Sequence, residues 1–268
     1  MARSRTESAD WNPESYGRFR DLRVRPALDL MARVGELPAG KVIDLGCGAG
    51  AVGAALADRW PGRKIVGVDA SPAMIGKAAA TGVYRRCDLA DIRTWEPGKP
   101  PALIFSNAAL HWLDDHATLL PRLAGLLAPT GVLAVQMPMQ WGAPSHRFLR
   151  DLATEMFPDR FDFTGWEPPV APPLDYARML APLGEVDVWT TDYIHRLGSE
   201  GAVHPVRRFT ESTALRPFAA KLNESELAGF LVRYEGALDA AYPVEPDGTV
   251  LFPFRRLFLV LRVAGCLR

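Results

Sequence analysis

The strongest constraint on the fold is a strand–turn–helix pattern that recurs from Lys41 onward. Short apolar segments that predict buried strands lie at Val42–Leu45, 64–69, 102–106 and 131–136, with a further short strand before Cys87. The predicted helices between them are an alanine-rich helix ending at Trp60, a helix ending at Ala80 with Ser71 as N-cap and Pro72 in its first turn, and a helix over 116–127. Strands that alternate with helices predict an α/β fold whose parallel sheet is covered on both faces.

The remaining segments are less regular. Residues 1–10 predict a flexible tail, and 13–34 predict one or two helices interrupted near Pro26. The stretch 138–184 is rich in proline and aromatic residues and predicts a partly helical insertion over the carboxyl edge of the sheet. Residues 199–242 predict mainly helix, including Glu224–Ala241, and strands are predicted at 185–193 and 252–263.

Composition bounds the class of protein. A chain of 268 residues can be organised around one core, and its 31 basic and 31 acidic residues cancel, so no overall field favours nucleic acid or an anionic membrane. The longest apolar run, 257–261, is too short to cross a bilayer, and no secretory leader is expected. The three cysteines, Cys47, Cys87 and Cys266, lack metal-ligand spacing, so we expect reduced thiols in the cytoplasm and no metal site.

A glycine-rich turn follows the first predicted strand. Gly46, Gly48 and Gly50 form a string that matches the fingerprint of dinucleotide-binding proteins and of methyltransferases alike. By itself the string is also consistent with glycines that only permit a tight turn.

Three acidic residues near strand ends separate these readings. Asp44 lies two residues before the first glycine and would repel a pyrophosphate, whereas the ammonium and sulfonium of S-adenosylmethionine would be attracted. Asp69 ends the second strand, where a carboxylate can accept hydrogen bonds from ribose hydroxyls of either cofactor. Asp91 can accept from an adenine amino group while Ile92 packs on the ring, although a turn-capping role for Asp91 stays open. Together the three acids favour methyl transfer over hydride transfer.

Residues after the fourth strand are candidates for catalysis. Asn107 could hold the amino-acid end of the cofactor or the acceptor, or could simply form a turn. His111 could donate a hydrogen bond to a substrate carboxylate or be a structural histidine, and Trp112 is expected in the pocket wall.

Longer strings carry a resemblance. They are 11–13 (Trp-Asn-Pro) with Tyr16, 42–50, 69–74, 90–93, 106–112 (Ser-Asn-Ala-Ala-Leu-His-Trp), 135–138, 187–189, Tyr193 with His195, 214–217 (Ala-Leu-Arg-Pro) and 254–258. On these strings the chain resembles the trans-aconitate methyltransferase family from Trp11 to about Val263. The first half is generic to class I methyltransferases, whereas the Trp-Asn-Pro, Asn-Ala-Ala-Leu-His-Trp and Leu-Arg-Pro strings are more specific.

The resemblance implies a Rossmann-like class I methyltransferase with a mostly parallel seven-stranded sheet, helices on both faces and a helical cap. Residues 11–268 would form one domain, with a helical cover over 11–40, a cofactor-binding core over 41–137, and caps over the acceptor site at 138–184 and 199–242. The expected assembly is a monomer or weak homodimer in the cytoplasm, without nucleic acid or membrane.

The implied reaction is methyl-ester formation from S-adenosylmethionine on one carboxylate of a small tricarboxylic acid, most simply trans-aconitate. The residues expected to bind the cofactor are Asp44, Gly46, Gly48, Gly50, Asp69, Ala70, Met74, Asp91, Ile92 and Asn107. The expected catalytic residues are Asn107 and His111, and the expected substrate contacts are Tyr16, Trp112, Trp141, Tyr193, Arg216 and Arg256. Strand alternation allows at most one of Arg255 and Arg256 to face the pocket, and the resemblance selects Arg256.

Alternatives concern function rather than fold. Within methyl transfer, the alternative is an O-methyltransferase that acts on a secondary metabolite with a carboxylate or hydroxyl acceptor. A non-catalytic cofactor-binding protein or an oxidoreductase is the alternative from another class. Departures from the family pattern at Met139, Gln140, Arg207, Arg208 and Phe209 bear on the choice of substrate.

Overall fold

The computed structural model describes residues 20–198, 201 and 203–265, with side chains from Val24 onward. The helices are α1 Arg20–Arg33, α2 Gly53–Arg59, α3 Pro72–Ala80, α4 His116–Gly125, α5 Pro144–Met156, α6 Pro173–Leu180, α7 Pro205–Glu211, α8 Arg216–Ala219 and α9 Glu224–Ala241. The strands are β1 Val42–Leu45, β2 Ile65–Asp69, β3 Arg86–Leu89, β4 Leu103–Asn107, β5 Val132–Pro138, β6 Gly184–Gly198 and β7 Thr249–Val263. Short 3₁₀ helices lie at Leu110–Trp112 and Ala181–Leu183. The expected tail over 1–10 and Tyr16 fall outside the described residues.

The sheet has seven strands in the order β3-β2-β1-β4-β5-β7-β6. Its first four pairings are all parallel, with Val42 opposite both Ile65 and Leu103. The end of β7 meets the start of β5 and of β6, since the Val263 amide donates to Gly131 O and the Ala264 amide to Leu183 O, so β7 runs antiparallel. The predicted Rossmann-like sheet is confirmed. Chain order reverses between β1 and β4, and such switch points are where α/β sheets place their ligand crevices.

The central strands are apolar, as expected for a parallel sheet that is covered on both faces. All four residues of β1 and the first four of β4 are buried, as continuous apolar runs in a parallel sheet require. Helix α3 begins as predicted, with the Ser71 hydroxyl accepting from the Met74 amide and Pro72 in the first turn. These caps satisfy amides that have no partner within the helix.

Two sequence-based boundaries were wrong. Helix α1 runs through Pro26 without the predicted interruption. Cys87 and Asp88 belong to β3 rather than following it, because Arg86–Leu89 pairs in parallel with β2 from Val66 to Asp69. The strand predicted at 185–193 extends five residues further, to Gly198, the other predicted elements agree within a few residues, and α9 agrees at both ends.

The chain divides into two compact units. Of the described residues, the first comprises 20–136, Leu174–Val188 and 259–265, and it contains all of the predicted core over 41–137 except Met137. The second comprises Met137–Pro173 and Trp189–Phe258, and its interior is rich in stacked aromatic rings such as Phe218 on Phe230. The predicted insertion therefore splits, with 138–173 in the second unit and 174–184 in the first. Within the described ranges, every helix is too short or too polar to cross a bilayer.

Candidate functional site

A cavity of about 570 Å³ lies in the first unit at the carboxyl ends of the parallel strands. This volume is in the usual range for small-molecule sites. Nine of the ten residues expected to bind the cofactor line the cavity, together with Trp112. They are Asp44, Gly46, Gly48, Asp69, Ala70, Met74, Asp91, Ile92 and Asn107.

The turn after β1 takes a backbone that glycine adopts most readily. Gly46 has φ of +78°, and a Cβ there would lie 2.2 Å from the Ala109 Cβ. Gly48 has φ of +52° and no neighbour within 4 Å of a Cβ, so the turn keeps open space at this point. Gly50, the third glycine, does not line the cavity. Its Cβ position instead lies 3.0 Å from Tyr84 Cε2.

Asp69, at the end of β2, is fixed by two backbone amides. Its Oδ2 accepts from the Gly48 amide and its Oδ1 from the Ser71 amide, each at 2.9 Å. One carboxylate thus joins the glycine turn to the start of α3. Each oxygen retains lone pairs for further donors.

Asp44 occupies a more enclosed position on β1. Its side chain is buried, and its Oδ2 accepts a 2.6 Å hydrogen bond from the Tyr84 hydroxyl. Burial raises the pKa of Asp44 to about 7, and nearby Asp69 adds to the rise, whereas the Tyr84 hydrogen bond opposes it. A cation placed beside Asp44 would favour its ionised form.

Asp91 lies in a turn after β3 and forms an exposed ion pair. Its Oδ2 accepts from Arg93 Nη2 at 2.6 Å, and its Oδ1 accepts from the Arg93 amide at 2.9 Å. The hydrogen bond from the Arg93 side chain lowers the pKa of Asp91. Its neighbour Ile92 is buried and lines the cavity.

The segment after β4 contains an unusual backbone. Ala108 has φ of +53°, and its amide donates to Gln136 O at 2.9 Å. Left-handed backbone at a non-glycine residue is costly and concentrates at functional sites. His111 follows in the 3₁₀ helix and is buried, whereas Trp112 is half exposed and lines the cavity.

The four described residues expected to contact substrate, apart from Trp112, lie in the second unit. Arg256 is buried on β7, with its guanidinium carbon 4.7 Å from the centre of the Phe254 ring. Arg255 is exposed and ion-paired with Asp192, so the predicted alternation is confirmed. Tyr193 is buried on β6, and half-buried Arg216 begins α8. Trp141 lines a cavity of about 540 Å³ within this unit.

Three departures from the family pattern have structural roles. Gln140 is buried; its side chain donates to Pro253 O and accepts from the Arg255 amide. Arg207 forms ion pairs with Glu211 and Glu235. Phe209 packs edge-on against the ring of Phe252.

Sequence reasoning missed several residues of the cavity region. Tyr84 reaches Asp44 from 40 positions away, and Val24 of α1 lines the cavity. Lys77 and Arg93 line it as well. A usable signal for Tyr84 was the presence of Gly53 and Gly67 outside the turn, since glycines in regular elements often mark a bulky neighbour.

The charges of the cavity fit a cationic ligand. Asp44, Asp69 and Asp91 line it against Lys77 and Arg93, and Arg93 is paired with Asp91. Buried Asp44 beside the glycine turn opposes a pyrophosphate, whereas it suits the ammonium of S-adenosylmethionine. The donor set therefore fits S-adenosylmethionine better than a dinucleotide.

Comparison with known proteins agrees with this geometry. A family model described as a methyltransferase domain matches residues 16–200. Trans-aconitate 2-methyltransferase of Methylobacterium radiotolerans is 46% identical over 265 residues, covering 96% of this chain and 100% of the relative. The enzyme of the same name from Escherichia coli O1:K1 is 44% identical, covering 95% and 98%. The crystal structure of the YcgJ protein from Bacillus subtilis shares the fold, with a TM-score of 0.57 at 15% identity over 90% of this chain and 99% of that chain. The chain belongs to the trans-aconitate 2-methyltransferase family of S-adenosylmethionine-dependent methyltransferases.

Proposed function

We propose that this protein transfers the methyl group of S-adenosylmethionine to one carboxylate of trans-aconitate and so forms a methyl ester. The observation that carries the proposal is the cavity at the switch point, where Asp44, Asp69 and Asp91 converge beside a glycine turn. The names of its relatives, at 44–46% identity over nearly the whole chain, supply the acceptor.

The cofactor assignment follows from the donors and acceptors of the cavity. Asp69 accepts from the ribose hydroxyls, Asp44 attracts the ammonium, and Asp91 with Ile92 holds the adenine. Further contacts come from Gly46, Gly48, Gly50, Ala70, Met74 and Asn107. When bound, the cofactor supplies a methyl group attached to its sulfonium sulfur, and loss of that methyl group leaves the sulfur as a neutral thioether.

The chemistry required of the protein is orientation. A carboxylate is already ionised at neutral pH, so no strong base is needed. Asn107, next to the left-handed Ala108, and His111, three residues after it, align one acceptor oxygen with the methyl carbon. Arg216 and Arg256 pair with the carboxylates that are not methylated, since a guanidinium matches their geometry. Tyr16, Trp112, Trp141 and Tyr193 complete the proposed acceptor contacts.

We further propose that the enzyme acts in the cytoplasm as a monomer or weak homodimer and does not bind nucleic acid. The balance of 31 basic and 31 acidic residues supports the last point. Light scattering during gel filtration measures the oligomeric state.

The decisive experiment is transfer of a labelled methyl group to a panel of acids. Purified protein is incubated with methyl-labelled S-adenosylmethionine and trans-aconitate, its cis isomer, citrate or a monocarboxylate. We expect a methyl ester of trans-aconitate as the main product. It is identified by its mass and by the release of labelled methanol on alkaline hydrolysis. Label on none of these acids, from a protein that binds S-adenosylhomocysteine, would overturn the acceptor assignment.

The pH dependence of kcat, measured with saturating S-adenosylmethionine, distinguishes a carboxylate acceptor from a hydroxyl. A carboxylate needs no deprotonation, so kcat should stay nearly constant from about pH 6.5 to 8.5. A steep rise toward alkaline pH would indicate a phenol or alcohol acceptor and favour the alternative O-methyltransferase.

A further inference from the structure

One contact lies beneath the glycine turn rather than in the cavity. The Tyr84 hydroxyl donates to Asp44 Oδ2 at 2.6 Å, and both side chains are buried. Tyr84 lies between α3 and β3 and is not among the residues that line the described cavity. Any effect of Tyr84 on the cofactor therefore acts through the residues that Tyr84 contacts, Asp44 and the glycine turn.

The ring of Tyr84 is seated by three glycines from three different segments. A Cβ on Gly53, the first residue of α2, would lie 2.7 Å from Tyr84 Cζ. A Cβ on Gly67 of β2 would lie 3.1 Å from the ring, and one on Gly50 would lie 3.0 Å from it. The first distance is shorter than a real contact allows, so side chains are excluded where the ring sits.

From these contacts we propose that Tyr84 is a positioning residue of the cofactor site. Its ring packs against the glycine turn, and its hydroxyl holds the Asp44 carboxylate in place so that it can pair with the cofactor's ammonium. The inference rests on the proposed cofactor assignment and adds to it a residue that never touches the ligand.

The electrostatic surroundings explain why Asp44 needs this hydrogen bond. The titratable groups that face Asp44 are Asp69, Tyr84, Cys47 and Cys87. Asp69 disfavours a negative charge on Asp44, and neither thiol carries a positive charge that would stabilise it. The Tyr84 hydroxyl, in contrast, stabilises the ionised form by a hydrogen bond. Burial and Asp69 both favour the protonated form of Asp44, and a neutral acid attracts an ammonium weakly.

The test compares Tyr84→Phe, which keeps the ring, with Tyr234→Phe. Tyr234 is a matched control because it is also buried and its hydroxyl donates at 2.7 Å to Ser145 O in the second unit.

Calorimetry measures the affinity for S-adenosylhomocysteine from pH 6 to 8. We expect wild-type affinity to rise through about pH 7, as Asp44 ionises. The Tyr84→Phe curve should move to higher pH by roughly one unit, the value of a hydrogen bond to a charged group, and Tyr234→Phe should match wild type.

A double-mutant cycle separates positioning from general loss of stability. Asp44→Asn should bind weakly at all pH values, and Tyr84→Phe added to it should cost little more, because the carboxylate is already gone. A Tyr84→Phe curve that coincides with wild type, or fully additive losses, would overturn the inference. Failure of wild type to bind at any pH would instead overturn the proposed cofactor assignment.

A second pair of variants covers the case in which Tyr84→Phe does not fold. Gly53→Ala keeps the hydroxyl but crowds the ring, so the affinity curve should shift in the same direction. Gly76→Ala in α3 is its control, because a Cβ there meets nothing within 4 Å. Equal curves for these two variants would also contradict the proposal.

Discussion

At the scale of single residues, the cofactor cavity depends on carboxylates whose surroundings differ. Asp69 is held by two backbone amides, Asp44 by one buried hydroxyl, and Asp91 by an exposed guanidinium. The three carboxyl groups therefore differ in the donors that hold them, and the environment of each influences its pKa.

Replacement of Asp69 should weaken the cofactor selectively. In Asp69→Ala the ribose loses a charged acceptor and the Gly48 amide loses its partner, so the affinity for S-adenosylmethionine should fall by about 1–3 kcal/mol. Calorimetry measures this loss. Asp58→Ala on the exposed side of α2 is the control and should leave affinity unchanged. Unchanged affinity in Asp69→Ala would remove the basis for placing the ribose here.

Two arginines of the second unit should affect the acceptor instead. Arg216→Ala and Arg256→Ala should each lower kcat/KM for trans-aconitate, by an amount that corresponds to a loss of about 2–4 kcal/mol in transition-state stabilisation. Both should leave cofactor affinity nearly intact. Arg255→Ala is the neighbouring control, since that side chain is exposed and paired with Asp192. Steady-state kinetics with calorimetry measures both quantities.

A monocarboxylate acceptor tests whether Arg216 pairs with a second carboxylate of the substrate. A monocarboxylate has no second anion to pair, so Arg216→Ala should cost it much less than it costs trans-aconitate. Equal losses for the two acids would mean that Arg216 supports the fold rather than the substrate.

At the scale of elements, capping residues determine where helices begin. Helix α9 starts with a full capping box, because Asn223 Oδ1 accepts from the Glu226 amide while Glu226 Oε2 accepts from the Asn223 amide. Glu226 also pairs with Arg160, so the cap joins two segments of the second unit.

Removal of this cap should destabilise the protein without affecting the cofactor. Asn223→Ala should lower the free energy of unfolding by about 1 kcal/mol, since the Glu226 amide loses its acceptor. Urea denaturation followed by circular dichroism gives the value. Asn223→Asp retains an acceptor and should lose far less, and equal losses in both variants would contradict the capping argument.

At the scale of the whole molecule, ionisation of buried Asp44 favours cofactor binding but lowers the stability of the folded protein. The unfolded chain releases this proton near pH 3.8, whereas the folded protein keeps it until about pH 7. Between these values the folded state binds more protons, so this group's contribution to stability falls as pH rises. Half-buried His146 has the opposite sign, because its partial desolvation and nearby Arg150 lower its pKa to about 3, and its contribution rises up to pH 6.5.

The Asp44→Asn variant should expose this trade-off. Without a group to ionise, its stability relative to wild type should grow between pH 4 and 7, by at most about 1.4 kcal/mol per pH unit. Its affinity for S-adenosylmethionine should be lower over the same range. Chemical denaturation of both proteins at pH 5 and 7 gives the difference, from which the His146 contribution cancels. A constant difference would show that Asp44 ionises normally.

Local patterns were sufficient to predict much of the fold and of the cofactor cavity. The apolar runs of β1, β2, β4 and β5, the cap of α3 and the position of α9 all follow from neighbours within a few residues. The acidic residues could be predicted too, because parallel strands place their carboxyl ends at one edge. Proline in α1 was misjudged, because Pro26 is buried within the helix and tertiary context can override a local helix breaker.

The sequence by itself therefore determined the parallel sheet, the glycine turn and the identity of its acidic residues, because each depends on periodicity, caps and spacing along the chain. Only the tertiary structure decided how those residues are tuned. Tyr84 reaches Asp44 across 40 positions, and Gln140 binds the Arg255 amide across 115. Burial and such distant donors set the pKa of a carboxyl and the freedom of a side chain, and neither leaves a periodic trace in the sequence.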